Sequence, residues 1–89
     1  WAPMPEISRF FGIVIQMYPL DHLPPHFHAL YAGADALVGI RPVALLHGSL
    51  SPRVLALIVE WAARHQEELL ANWDRLRRGQ PAEPIPPLE

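Results

Sequence analysis

The sequence predicts an α+β fold, a small antiparallel meander sheet of about four strands followed by one long amphipathic helix packed on it. Three observations predict it. Short β-branched and aromatic runs, broken by Pro and Gly, fill the first half of the chain. Apolar residues recurring at spacings of three and four fill the second half. A Ser-Pro start and a Gly stop bracket that second pattern. At 89 residues the chain has the length of one domain, read as residues 4–89.

Trp1, Ala2 and Pro3 precede Met4, which reads as a native start, so the first three residues carry no argument. Residues 10–18, FFGIVIQMY, are β-branched and aromatic on both alternating faces, as in a strand well inside a sheet, and Pro19 stops them. Residues 19–25, PLDHLPP, form a stiff irregular connection. Residues 26–32 read as a second strand, with His26, His28 and Leu30 on one face and Phe27, Ala29 and Tyr31 on the other. Gly33 to Asp35 supplies a turn, residues 36–40 a third strand, Arg41-Pro42 another turn, and residues 43–47 a fourth short strand.

Ser51 then offers a hydroxyl to cap a free backbone N–H, and Pro52 suits the first helical position. Gly79 and Pro81 end the helix. Between them Val54, Ile58, Trp61, Ala62, Leu69, Trp73 and Leu76 form an apolar stripe, with Arg53, Glu60, Arg64, Glu67, Asp74 and Arg78 opposite. Such a helix would run roughly 40 Å. Four short strands cannot cover that length, so it should overhang, bend or pack on a second subunit. The tail, residues 80–89, is Pro-rich and extended, with Ile85 and Leu88 as anchors onto the core.

Composition narrows the function. There is no Cys, which excludes disulfides, thiolate zinc sites and a cysteine nucleophile, so any metal must be held by His and carboxylate. No stretch approaches the roughly 20 apolar residues needed to span a bilayer, and the expected setting is the cytoplasm. All seven basic residues are Arg, against nine Asp and Glu, and the net charge of -2 gives no general pull toward nucleic acid, so direct sequence-specific binding to it is not expected. Arg75, Arg77 and Arg78 fall where they complement the helix dipole. A 51% apolar fraction in so short a chain leaves surplus apolar surface, which favours a homodimer or a protein partner.

The segment that carries chemistry is DHLPPHFHALY, starting at Asp21. On a strand, His26 and His28 project from the same face, a workable bite for one divalent transition-metal ion, and the Pro24-Pro25 bend could bring His22 or Asp21 round as a further ligand. The same two histidines could instead act as a catalytic acid and base, or simply hold the loop by hydrogen bonds. His65 and Asn72 fall within the apolar stripe and need polar partners. Either they are satisfied locally, or, with Tyr31, they build a supporting pocket around the strand histidines. Gly-rich phosphate loops and GxSxG elbows are absent.

These residues together resemble a known family. Met4-Pro5-Glu6-Ile7-Ser8, Phe11-Gly12-Ile13-Val14-Ile15, Asp21-His22, Pro24-Pro25-His26-Phe27-His28-Ala29 with Tyr31, Gly48-Ser49-Leu50, Trp61, His65, Glu68-Leu69, Asn72-Trp73, Ile85 and Pro87-Leu88 are similar to the bacterial family called domain of unknown function 4160. The resemblance implies a small stand-alone domain, frequently encoded beside a domain of unknown function 2442 in an arrangement like a toxin-antitoxin pair. It therefore implies an interaction module of a two-gene system. The residues keep open a small His-dependent or metal-dependent enzyme, such as a ribonuclease-like toxin, built on His26 and His28. The chain departs from the family at Arg41-Pro42, where a Gly-centred turn is usual.

Overall fold

The computed structural model describes residues 6–19 and 21–89, so the reading of Met4 as a native start lies outside the described residues. In chain order the elements are β1 (Glu6–Phe10), β2 (Ile13–Gln16), β3 (His26–Tyr31), β4 (Ala34–Gly39), β5 (Leu45–His47), α1 (Pro52–Arg64) and α2 (Gln66–Arg77). The strands form one antiparallel sheet in the order β1-β2-β3-β4-β5. The α+β class and the meander are those the sequence predicts. The strand and helix counts differ, each for a local reason.

The run expected as a single strand over residues 10–18 spans a hairpin. Phe11 and Gly12 have φ of 50° and 78°, the two left-handed positions that a tight two-residue hairpin turn requires, so the chain reverses and Phe10 pairs with Ile13. Phe is seldom found at positive φ, which is why the apolar run looks continuous. Ala32 and Gly33, at 48° and 84°, make the second hairpin the same way. That turn lies earlier than expected and leaves Asp35 inside β4, opposite Leu30.

The expected single helix is broken at His65, whose φ of -123° and ψ of 25° are not helical and whose N–H donates to Ala62 O at 3.2 Å. An unbroken helix of roughly 40 Å would exceed the 34 Å longest dimension of the domain. Of the three outcomes expected for its length, the chain bends. At the start of α1, Ser51 Oγ accepts from the Val54 N–H at 3.3 Å, as the Ser-Pro signal predicts.

Trp61 is the centre of the core: fully buried, its ring lies 5.3 Å from Phe10 and 5.7 Å from Phe27. Ile13, Ile15, Ala29 and Val38 from the sheet meet Ile58, Ala62 and Leu69 from the helices around it. Burying each of the larger side chains contributes about 1.5–3 kcal/mol, which drives the helices onto this face. Ile85 and Leu88 of the tail are buried too, as expected. The tail is held by polar bonds as well: Ile85 N–H donates to Ile7 O at 2.8 Å, and Trp61 Nε1–H to Pro86 O at 2.9 Å. The tail thus lies along β1. At the opposite edge all three residues of β5 are exposed.

Candidate metal centre

Strand alternation sends Phe27 and Ala29 into the core and leaves His26 and His28 on the other face of β3. His28 is held between Gln16 on β2 and Leu37 on β4, and His26 stands opposite Gly39. The connection after β2 turns through Leu23, Pro24 and Pro25, with a cis Leu23-Pro24 bond, and returns Asp21 to the same place. Asp21 Oδ2 lies 3.1 Å from His26 Nε2 and 3.1 Å from His28 Nε2. Ligand atoms of all three residues fall within 4.8 Å of one another. His26 is buried, and Asp21 and His28 are partly open to solvent.

The other ring nitrogens are also engaged. His26 Nδ1 is 2.8 Å from Pro24 O, an atom that can only accept, so Nδ1 carries a hydrogen. His28 Nδ1 faces Asp35 Oδ1 at 3.4 Å. A neutral imidazole with its hydrogen on Nδ1 presents a bare lone pair at Nε2. Such a lone pair faces a carboxylate oxygen favourably only with a proton or a cation between them. Two imidazolium rings would satisfy the arrangement, and so would one ion shared by both Nε2 atoms and Asp21. A carbonyl or carboxylate at the ring nitrogen turned away from the ion is the usual outer support of a metal-ligating histidine, the place that Pro24 O takes at His26 and Asp35, at the longer distance, takes at His28. The 3.1 Å separations are close to the roughly 3.3 Å between ligands of a tetrahedral zinc with bonds of about 2.0–2.1 Å.

Burial is the largest single influence on the Asp21 carboxyl and pushes its pKa up. The His28 hydrogen bond, the His26 charge, the His22 backbone N–H and the His26 hydrogen bond together outweigh it, and the pKa lies below the ordinary 3.8. The surroundings fix the rings further. Tyr18 sets its ring edge-on to His28 with centroids 4.6 Å apart, while its hydroxyl donates to Gln16 Oε1 at 2.7 Å. Trp73 of α2 lies 5.3 Å from the His26 ring.

Of the residues singled out in the sequence, the structure brings together Asp21, His26 and His28. His22 does not join them: it is exposed, and its contribution is the backbone N–H that donates to Asp21 Oδ1 at 3.2 Å. The supporting pocket expected from His65, Asn72 and Tyr31 does not form around the strand histidines. At the helix break, His65 Nδ1 pairs with Glu68 Oε1 at 2.5 Å and its ring lies against Trp61. Asn72 is spent on the tail, donating to Glu83 O and accepting from Glu83 N–H, both at 2.8 Å. Tyr31 sits by the β1–β2 turn, in a cleft with Phe11, Ser51 and Arg53. Two residues not singled out lie near the centre. Asp35 supports His28, and His47 of β5 lines a cleft with His28, Asp35 and Leu37. A turn placed at Ala32-Gly33 would have revealed Asp35.

Residues 12–74 match the family described as Domain of unknown function (DUF4160). The chain belongs to that family. The matched part of this DUF4160 domain contains Asp21, His26, His28 and Asp35 and ends in α2, before the tail. Among curated proteins and among solved structures nothing matches it significantly. No helix among its described residues is long and apolar enough to cross a membrane.

Proposed function

We propose that this domain binds one divalent transition-metal ion through Asp21, His26 and His28 and uses it as a small hydrolytic centre. The observation that carries the reading is the convergence of two Nε2 atoms on one carboxylate oxygen, each at 3.1 Å, with the opposite side of each ring already fixed. Two histidines and one carboxylate leave coordination positions for water and substrate, which is what Lewis-acid hydrolysis needs. The ligands come from one short loop and the strand that follows it, so folding β3 against β2 and β4 preorganises the set.

The test is the metal content of tag-free protein purified without chelator, beside a His26→Ala, His28→Ala double variant shown to be folded by circular dichroism. Near-stoichiometric zinc, iron, nickel or copper in the parent and none in the variant is the expected result. A parent that remains empty after dialysis against each of these ions overturns the reading.

A second reading is favoured by a separate observation. β5 ends the sheet with Leu45 and Leu46 exposed, and an open edge with apolar side chains suits strand addition by a protein partner or a second copy. This reading keeps the domain as an interaction module of a toxin-antitoxin-like pair, and it is compatible with a metal centre on β3.

A further inference from the structure

We infer that Arg77 is an oxyanion-positioning residue of the metal centre, so that the substrate carries a phosphoryl or carboxylate group. The inference rests on the metal reading above and adds to it the class of molecule the ion would act on.

Arg77 lies in the last turn of α2, where a cation complements the helix dipole whatever else it does. Its position goes beyond that role. Nη1 donates to Asp21 O at 3.4 Å, the carbonyl of the residue whose side chain joins the two histidines, and Cζ lies 5.9 Å from the centroid of Trp73. Trp73 in turn touches His26. The guanidinium is therefore held at the rim of the centre by one long hydrogen bond and an aromatic face. A guanidinium has five N–H donors, and among the described residues no other acceptor and no carboxylate engages this one. The other cations of the region differ. Arg75 is committed to Pro81 O at 2.8 Å, and among the described residues it is Arg77 that donates to Asp21 O.

Charge gives the same answer. A divalent ion would be balanced by the Asp21 carboxylate and by Asp35 behind His28, which leaves the Arg77 charge over at the rim. A ligand with two or more oxygens on one centre can place one on the ion and another on the planar fork of Arg77, the geometry in which Arg prefers to bind phosphate and carboxylate. A neutral amide or ester has one strong acceptor oxygen, its carbonyl, and so cannot bridge the ion and the fork in this way.

The experiment uses the full chain loaded with cobalt(II), whose visible absorption reports ligands added to the ion. Inorganic phosphate and acetate are titrated separately at constant ionic strength into the parent, Arg77→Gln and Arg78→Gln. The expected result is a saturable spectral change in the parent for at least one anion, weakened about tenfold in Arg77→Gln and unchanged in Arg78→Gln, with cobalt stoichiometry equal in all three. Which anion shows the Arg77 dependence separates a phosphoryl substrate from a carboxylate. Equal affinities in parent and Arg77→Gln, or no spectral change with either anion in a cobalt-loaded parent, overturn the inference while leaving the metal reading standing. A parent that takes up no cobalt overturns both.

Discussion

If one ion joins Asp21, His26 and His28, zinc must stabilise the folded chain by an amount that follows from binding alone. A ligand that binds only the folded state contributes RT ln(1 + [L]/Kd), about 2.7 kcal/mol at a free concentration one hundred times Kd. Unfolding entropy of roughly 2.1 cal/mol/K per residue over 89 residues gives about 0.19 kcal/mol/K, so zinc at that concentration should raise Tm by about 14 °C. The informative variant is Asp21→Asn, which keeps the size of the side chain and its capacity to accept from the His22 N–H, but removes the anionic oxygen shared by the two rings. Differential scanning calorimetry of chelator-treated parent and variant, with zinc set from a measured Kd, should show most of the shift in the parent and little in the variant. An unchanged parent Tm, or an equal shift in Asp21→Asn, would refute the assignment of that oxygen as a ligand.

Three further outcomes concern the frame around the site. Asn72→Ala should destabilise the fold by about 1–3 kcal/mol, because Asn72 is buried and both of its bonds go to the Glu83 backbone; urea denaturation gives the value, and faster hydrogen exchange at Ile85 gives the location. Gly48→Ala should cost more than about 1 kcal/mol, since φ is +84° and a Cβ there would meet the Asp35 backbone oxygen at 2.7 Å; a variant with the parent's urea midpoint would contradict that geometry. The pH dependence follows from the lowered Asp21 pKa: its stabilising contribution is present above the unfolded value near 3.8 and is lost as pH falls through the folded value. In chelator, the difference in urea midpoint between parent and Asp21→Asn should therefore be larger at pH 6 than at pH 3, and a difference independent of pH would count against the coupling.

How much of this was legible in the sequence depends on whether the signal was local. Ser51-Pro52, Gly79 and the alternation of His26 and His28 are short-range features, and each appears where the residues predict it. The β1–β2 turn was hidden because Phe11 takes a conformation that side chains with a Cβ avoid, leaving Gly12 as its one compositional mark. The helix break was hidden because the apolar stripe runs on from Trp61 to Leu69 without Gly or Pro, and the break satisfies His65 through Ala62 O and Glu68 instead. Asp21 could be offered as a ligand from the Pro24-Pro25 bend, but the choice between it and His22 depended on how far the loop returns. Asp35 needed the register of β4. The partner of Asn72 lies eleven residues away in an extended tail with no periodicity to read.

The two edges of the sheet are unequal, and this limits how the protein can assemble. The tail lies against β1 through Ile85 and Ile7, while β5 presents its whole length to solvent. A sheet open at both sides can recruit neighbours without end and grow into a filament. With one side capped, joining two copies along β5 consumes the free side of each and stops there, a closed two-fold pair. In such a pair the tail, residues 80–89, would act as a chain terminator, and a variant that releases it is expected to trade a finite assembly for an open-ended one.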